Sequence, residues 1–169
     1  ESLATYLLAK FQKEKRLTNW TSVPVEDVFS FVNKEFISKT KYQADAGFDQ
    51  WAAATSTLGM IKTFNLTDSY GSLEIKGDCE DLAFAEASLM QNILMKYLFL
   101  TSPLLKDVPI DGNLLKDGRD KEFLKTRQAA LNRVSVFAGK DHMNVGYFTA
   151  DIDNIDNADG GSQVLIFDP

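Results

Sequence analysis

The sequence Gly-Asp-Cys-Glu-Asp at residues 77–81 opens the stretch that decides the fold, because a long run of apolar residues at helical spacing follows it. Asp78 is suited to cap a helix, Asp81 adds negative charge to the first turn, and Pro103 lies just past the expected end. The pattern therefore predicts a central helix over residues 79–100. Its apolar stripe consists of Leu82, Ala85, Leu89, Met90, Ile93, Leu94, Tyr97 and Leu98.

Shorter helices are predicted on both sides of this central helix. Residues 1–16 carry apolar side chains at helical spacing and end in a Lys/Arg cluster, and Pro24 starts a second amphipathic stripe over residues 25–38. Residues 106–121 lack periodicity and are expected to form a surface excursion. Residues 123–130 are expected to add a short helix.

After Leu131 the pattern changes from helical to extended. β-rich runs at residues 132–138, 142–150 and 163–167 predict three strands of an antiparallel sheet. The fold class is therefore predicted as α+β, in one domain over residues 1–169, with helices to about residue 130 and the sheet after it.

The composition excludes several classes of function. The 24 acidic residues outnumber the 18 basic ones, which argues against nucleic acid as a partner because a phosphate-binding face must be basic. A single cysteine cannot form an internal disulfide, and one His with one Cys cannot build a Cys/His zinc cage of four ligands. The apolar run at residues 82–100 predicts a buried helix and no membrane span, because polar residues interrupt it: Glu86, Gln91, Asn92 and Lys96.

The compartment is left open by the sequence. The chain starts at Glu1 and shows no basic-then-apolar signal peptide, so we expect it to be a piece of a larger polypeptide or assembly. Periplasmic, extracellular and virion-associated locations all agree with these features.

Cys79 carries the only thiol and lies in the first turn of the predicted central helix, where the helix dipole favours a thiolate. Asp78, Glu80 and Asp81 oppose this effect, since nearby negative charge disfavours a thiolate. A nucleophile here therefore needs a cationic partner such as imidazolium. The alternative is that Cys79 is a small buried hydrophobe, as most free cysteines are.

His142 is the only histidine and opens one predicted strand, while Asp168 closes the next. Antiparallel pairing about a centre near Ile155 would place the two residues directly opposite each other, with their Cβ atoms about 5 Å apart. Asp168 could then hold one ring nitrogen and leave the other for the thiol of Cys79, an arrangement suited to acyl transfer. A solvent-facing histidine is the alternative, and a slip of one residue would separate the pair.

Residues 77–83, Gly-Asp-Cys-Glu-Asp-Leu-Ala, closely resemble the nucleophile motif of the bacterial transglutaminase-like cysteine peptidases, part of the transglutaminase-like, papain-type superfamily. Residues 48–51 resemble the Trp-bearing stretch that precedes that motif, and residues 167–169, Phe-Asp-Pro, resemble the terminal Asp-Pro of the superfamily. The resemblance covers residues 48–169 and implies a papain-like core.

The resemblance also implies a role for each site residue: Cys79 as the nucleophile, His142 as the base and Asp168 as the acid that orients the base. The backbone N–H of Cys79 is the expected first donor to the oxyanion, and Gln50 and Trp51 are candidates for the second. For these two side chains, solvent exposure and core packing are the respective alternatives.

The sequence departs from the family pattern in three places. Leu82 stands where the family usually has an aromatic residue, and Met143 and Asn144 follow the histidine where the superfamily often has one. The separation of Cys79 and His142 is also long, with residues 106–127 as the insertion.

No cofactor is required by the predicted chemistry, and calcium is the one optional ion. Some family members bind calcium through acids flanking the cysteine, which correspond here to Asp78 and Glu80. The alternative, which we favour, is that Asp78 caps the helix and Glu80 faces solvent. The acid-rich residues 151–160 depart from the EF-hand pattern and predict a solvated hairpin loop.

These observations predict a cysteine hydrolase, first of all a peptidase, that cleaves a protein or peptide substrate through a thioester. Amine transfer on the same thioester is one alternative and would give a cross-linking transglutaminase. An inactive transglutaminase-like scaffold that serves binding or assembly in a larger protein or virion is another. A binding domain with a coincidental motif is the third.

Overall fold

The computed structural model describes residues 3–45, 70–101, 119–140, 142–149 and 164–169. These ranges form an α+β structure, in agreement with the predicted class. The helices are α1 (Leu3–Lys15), α2 (Val25–Ile37), α3 (Cys79–Thr101) and α4 (Arg119–Arg133). The strands are β1 (Thr40–Tyr42), β2 (Ile75–Gly77), β3 (Val134–Ala138), β4 (Met143–Phe148) and β5 (Val164–Phe167). Short 3-10 turns lie at Trp20–Ser22 and Tyr70–Ser72.

The central helix is confirmed, as are the two helices before it and the three C-terminal strands, within a few residues at each end. The predicted helix at residues 123–130 is longer than expected and runs directly into β3 at Val134. Residues 48–51 and 151–160 lie outside the described residues. So does most of the surface excursion predicted at residues 106–121, but its last three residues belong to α4, where the prediction is wrong.

Helix α3 forms the centre of the core because it buries side chains on more than one face. It contacts α1, α2 and α4 among the helices, and β2, β3 and β4 among the strands. Its innermost residues have no exposed surface: Ala83, Ala85, Glu86, Met90 and Ile93. A helix covered in this way stays fixed, so the residues at its start have a fixed position as well.

The described strands form two separate sheets. Strands β3, β4 and β5 pair antiparallel in that order, as predicted. Strands β1 and β2 form a short parallel pair that the sequence pattern does not predict, because three residues are too few to show an alternation. This pair ends at Gly77, directly before the residues that start α3.

Phe29 joins α2 to the antiparallel sheet. It is fully buried, and its ring packs edge-on against Tyr147 of β4 at 4.8 Å and Phe167 of β5 at 6.2 Å between centroids. Edge-to-face contacts add to the free energy gained by burial alone. This aromatic cluster therefore fixes the ends of β4 and β5 relative to α2.

A polar cluster connects α1, α2 and the segment before β2. Glu35 accepts hydrogen bonds from Lys10 Nζ at 2.6 Å and from the Tyr70 hydroxyl at 2.5 Å. Both partners hold the pKa of Glu35 below its ordinary value, although partial burial opposes them. The cluster anchors the chain just ahead of the strand that leads into α3.

No helix within the described ranges has both the length and the apolar character that a membrane crossing requires.

Replacing Phe29 with Ala is expected to lower the free energy of unfolding by about 3–5 kcal/mol, because it removes a fully buried ring at the junction of α2 and the sheet. Chemical denaturation followed by circular dichroism measures this change. Phe137→Ala is the matched control, since Phe137 is 36% exposed and should cost less than half as much. Equal losses for the two variants would contradict this account of the core.

Candidate active site

Asp78 caps the start of α3, as predicted. Its Oδ1 accepts a hydrogen bond from the backbone N–H of Asp81 at 3.3 Å, and its carbonyl accepts from that of Leu82 at 3.0 Å. Asp78 and Asp81 are both buried. The cap makes Cys79 the first residue of the helix.

Gly77 is required by a close approach at this helix start. A Cβ atom at position 77 would lie 2.6 Å from the Cβ of Asp81, which is closer than side-chain atoms pack. The carbonyl of Gly77 also accepts from the backbone N–H of Gln43 at 2.8 Å. The glycine of the motif therefore lets β2 turn tightly into α3.

The thiol of Cys79 is half-buried and donates a hydrogen bond to Glu80 Oε2 at 2.8 Å. Burial raises the pKa of the Cys79 thiol, and the hydrogen bond to Glu80 raises it further. The backbone N–H of Met143, at the start of β4, approaches the sulfur and opposes these effects. Burial and Glu80 therefore favour the protonated thiol over the thiolate.

His142 and Asp168 lie in contact at the start of β4 and the end of β5. His142 Nε2 is 2.7 Å from Asp168 Oδ1, a hydrogen-bond distance, and the two side chains are 46% and 77% exposed. A neutral imidazole that donates from Nε2 to the carboxylate has Nδ1 as its remaining acceptor. The structure thus brings together two of the three predicted catalytic residues.

The predicted register of β4 and β5 is wrong by two residues. Val145 pairs with Phe167, so the same register places Asn144, and not His142, opposite Asp168. A shift of two residues keeps a side chain on the same face, whereas a shift of one would not. His142 and Asp168 are therefore diagonal neighbours, within reach of long side chains.

The imidazole also lies near the start of α3. The pKa of Glu80 is held below its ordinary value, first by the hydrogen bond from Cys79 and in smaller part by the charge of His142. Among the described residues, no hydrogen bond joins the thiol to the imidazole, since the thiol donates to Glu80 and Nε2 contacts Asp168. The catalytic roles of Cys79, His142 and Asp168 stay predictions.

Gln50 and Trp51, the candidates for the second oxyanion donor, lie outside the described residues. The backbone N–H of Cys79 belongs to the first turn of α3, where N–H groups have no acceptor within the helix. It remains the expected first donor.

The predicted calcium residues do not form a calcium site by themselves. Asp78 accepts from the helix backbone and Glu80 from the thiol, whereas calcium takes roughly six to eight oxygen ligands. Within the part of the chain that the structure describes, no group of three or more His, Cys, Asp or Glu residues could hold a metal ion. Calcium binding by Asp78 and Glu80 stays a prediction.

Glu86 belongs to this region, although sequence reasoning used it only as evidence against a membrane span. It lies two turns after Cys79 and is fully buried, and its Oε1 accepts from Asn33 Nδ2 at 2.9 Å. Its Oε2 has no hydrogen-bond partner among the described residues. Burial raises the pKa of Glu86 to about 7, the charge of Asp168 adds to this, and Asn33 opposes it. The signal in the sequence is an acid on the apolar stripe, one turn from Leu82, Leu89 and Met90.

Comparisons of the chain with protein-family models, curated proteins and solved structures found no match. The resemblance to transglutaminase-like peptidases therefore stays a prediction from the sequence at residues 48–51, 77–83 and 167–169.

Replacing Glu80 with Gln is expected to lower the pKa of the Cys79 thiol, because it removes the carboxylate that accepts the thiol proton. The alkylation rate with iodoacetamide at pH 7 should rise several-fold, as the thiolate is the reactive form. Glu14→Gln makes the same chemical change at an exposed position of α1 and should leave the rate unchanged. An unaltered rate in Glu80→Gln would show that Glu80 does not hold the thiol.

Replacing Glu86 with Gln is expected to change how stability depends on pH. A carboxyl whose pKa rises from 4.5 to about 7 on folding makes the wild type less stable as pH increases through that window, because the unfolded chain loses the proton first. The difference in unfolding free energy between Glu86→Gln and wild type should therefore grow by about 3 kcal/mol from pH 4.5 to pH 8.

Denaturation midpoints measured across this range test the expectation, with Glu14→Gln as the control for an exposed acid. Parallel pH curves for wild type and Glu86→Gln would mean that Glu86 ionises normally in the folded protein.

Proposed function

We propose that this protein is a cysteine peptidase of the transglutaminase-like type, in which Cys79 is the nucleophile, His142 the general base and Asp168 the residue that orients the base. The observation that carries the proposal is the 2.7 Å contact between His142 Nε2 and Asp168 Oδ1, made where β4 reaches the start of α3. It leaves Nδ1 of the only imidazole available to the only thiol.

The first step is proton transfer from the thiol of Cys79 to Nδ1 of His142. The thiol must leave Glu80 for this transfer, since Glu80 accepts its hydrogen bond in the resting protein. Asp168 stabilises the imidazolium that forms, because an anion favours the charged state of a neighbouring base. The thiolate then attacks the carbonyl carbon of a peptide bond.

The second step forms a thioester. The backbone N–H of Cys79 donates to the oxyanion of the tetrahedral intermediate, and the imidazolium returns its proton to the departing amine. Neutral His142 next removes a proton from water, which attacks the thioester and releases the carboxylic acid. The proton passes back to sulfur, so the enzyme is restored.

A papain-like core is the finer fold that this proposal implies. Two features of the described residues support it: the cysteine starts a buried helix, and the histidine directly precedes a strand of an antiparallel sheet that packs on that helix. The polypeptide order of cysteine, histidine and acid also agrees with the motif resemblance.

An inactive scaffold for binding or assembly is the second candidate, and one observation favours it. The thiol hydrogen bond goes to Glu80, and burial raises the pKa of the Cys79 thiol. In an inactive protein, the thiol of Cys79 would keep its proton and its hydrogen bond to Glu80 at all times.

Two measurements test the proposal. Alkylation of Cys79 by iodoacetamide at pH 7 should be at least tenfold faster in wild type than in His142→Ala, with Asn144→Ala as the control on the same strand. Incubation with a proteome-derived peptide library, with and without a primary amine, should yield cleavage products by mass spectrometry in wild type and none in Cys79→Ser.

Each outcome is decisive for the proposed class. Cleavage that depends on both Cys79 and His142 supports the peptidase. Amine incorporation without cleavage would replace it with a transferase that uses the same thioester. Equal alkylation of wild type and His142→Ala, together with no product, would contradict catalysis and establish the inactive scaffold.

A further inference from the structure

One side-chain amide connects the buried acid of α3 to the end of β5. Asn33 Nδ2, on α2, donates to Glu86 Oε1 at 2.9 Å and to the main-chain carbonyl of Asp168 at 3.3 Å. The same asparagine therefore contacts two elements on which the candidate active site depends.

Burying Glu86 costs free energy, and neither the proposed mechanism nor the core packing explains why an acid occupies this position. Its side chain has no exposed surface, and one of its oxygens has no hydrogen-bond partner within the described part of the chain. A buried polar atom left without a partner costs free energy that an apolar side chain of similar size would not. The hydrogen bond that Glu86 accepts from Asn33 is therefore the interaction that can explain why an acid is buried here.

The carboxylate of Asp168 is not fixed by packing, because its side chain is 77% exposed. Its backbone, however, is held from two directions. Phe29 packs on the ring of Phe167, the preceding residue, and Asn33 lies one turn after Phe29 on the same face of α2. Helix α2 thus holds two consecutive residues at the end of β5: Phe29 packs on Phe167, and Asn33 bonds to the carbonyl of Asp168.

We propose that Glu86 and Asn33 are positioning residues for the His142–Asp168 pair. Glu86 fixes the orientation of the Asn33 amide, and the amide holds the carbonyl of Asp168 so that its carboxylate reaches Nε2 of His142. The catalytic meaning of this arrangement rests on the proposed function, but the positioning itself does not.

The single imidazole makes the test direct. The ring carbon and proton signals of His142 are measured by NMR at one fixed pH in the wild type, with Asp168→Ala as the reference for a lost His142–Asp168 contact. Asn33→Leu removes the amide and should move the ring signals most of the way to the Asp168→Ala positions. Glu86→Leu should do the same, because Asn33 loses the acceptor that orients it.

Two controls separate positioning from loss of stability. Glu86→Gln keeps a carbonyl oxygen for Asn33 and should retain the wild-type ring signals. Val32→Ala shortens a fully buried side chain beside Asn33 and should destabilise the fold without moving the signals. Glu86→Leu places an apolar side chain in an apolar site, so we expect this variant to fold. It can therefore replace Asn33→Leu in the test if Asn33→Leu does not fold.

Wild-type ring signals in folded Asn33→Leu or Glu86→Leu would overturn the proposal, as would equal shifts in Val32→Ala. If the peptidase proposal holds, Asn33→Leu should also lower kcat several-fold with little change in KM. If wild type proves inactive while the ring signals still follow the prediction, the positioning stands and the peptidase proposal fails.

Discussion

The burial of α3 is the constraint on which the other elements depend. Its first residues are capped by Asp78, and its buried faces are covered by α1, α2, α4 and the antiparallel sheet. Because the helix begins at Cys79, the elements that cover its first turns also surround the thiol. The start of β4 is one of these elements, and it brings Met143 against the sulfur and His142 close to Glu80.

Much of the fold was accessible from local sequence patterns. The apolar stripe, the cap at Asp78 and the change to β-rich runs after Leu131 predict the described helices and the three-stranded sheet to within a few residues. These patterns depend only on residues that are close together in the chain, so they can be recognised in a single sequence. The β1–β2 pair was missed because its three-residue strands join segments far apart in the chain.

The site shows where such reasoning fails. The predicted register of β4 and β5 differs from the observed one by two residues. Register depends on packing across the sheet, including that of Phe29 on Tyr147 and Phe167, which local sequence patterns do not contain. The contact of His142 with Asp168 still forms, since an even shift preserves the face. Glu86 and Asn33 were overlooked as a pair because 53 positions separate them.

The central claim is that the start of β4 lies against the start of α3, and a spin label on Cys79 tests it in solution. The single cysteine allows labelling without any substitution. The account predicts strong broadening of the Met143 amide signal and little broadening of the Trp20 amide, because Trp20 packs on Tyr97, about 27 Å along the helix from Cys79. Broadening of Met143 no greater than that of Trp20 would contradict the account.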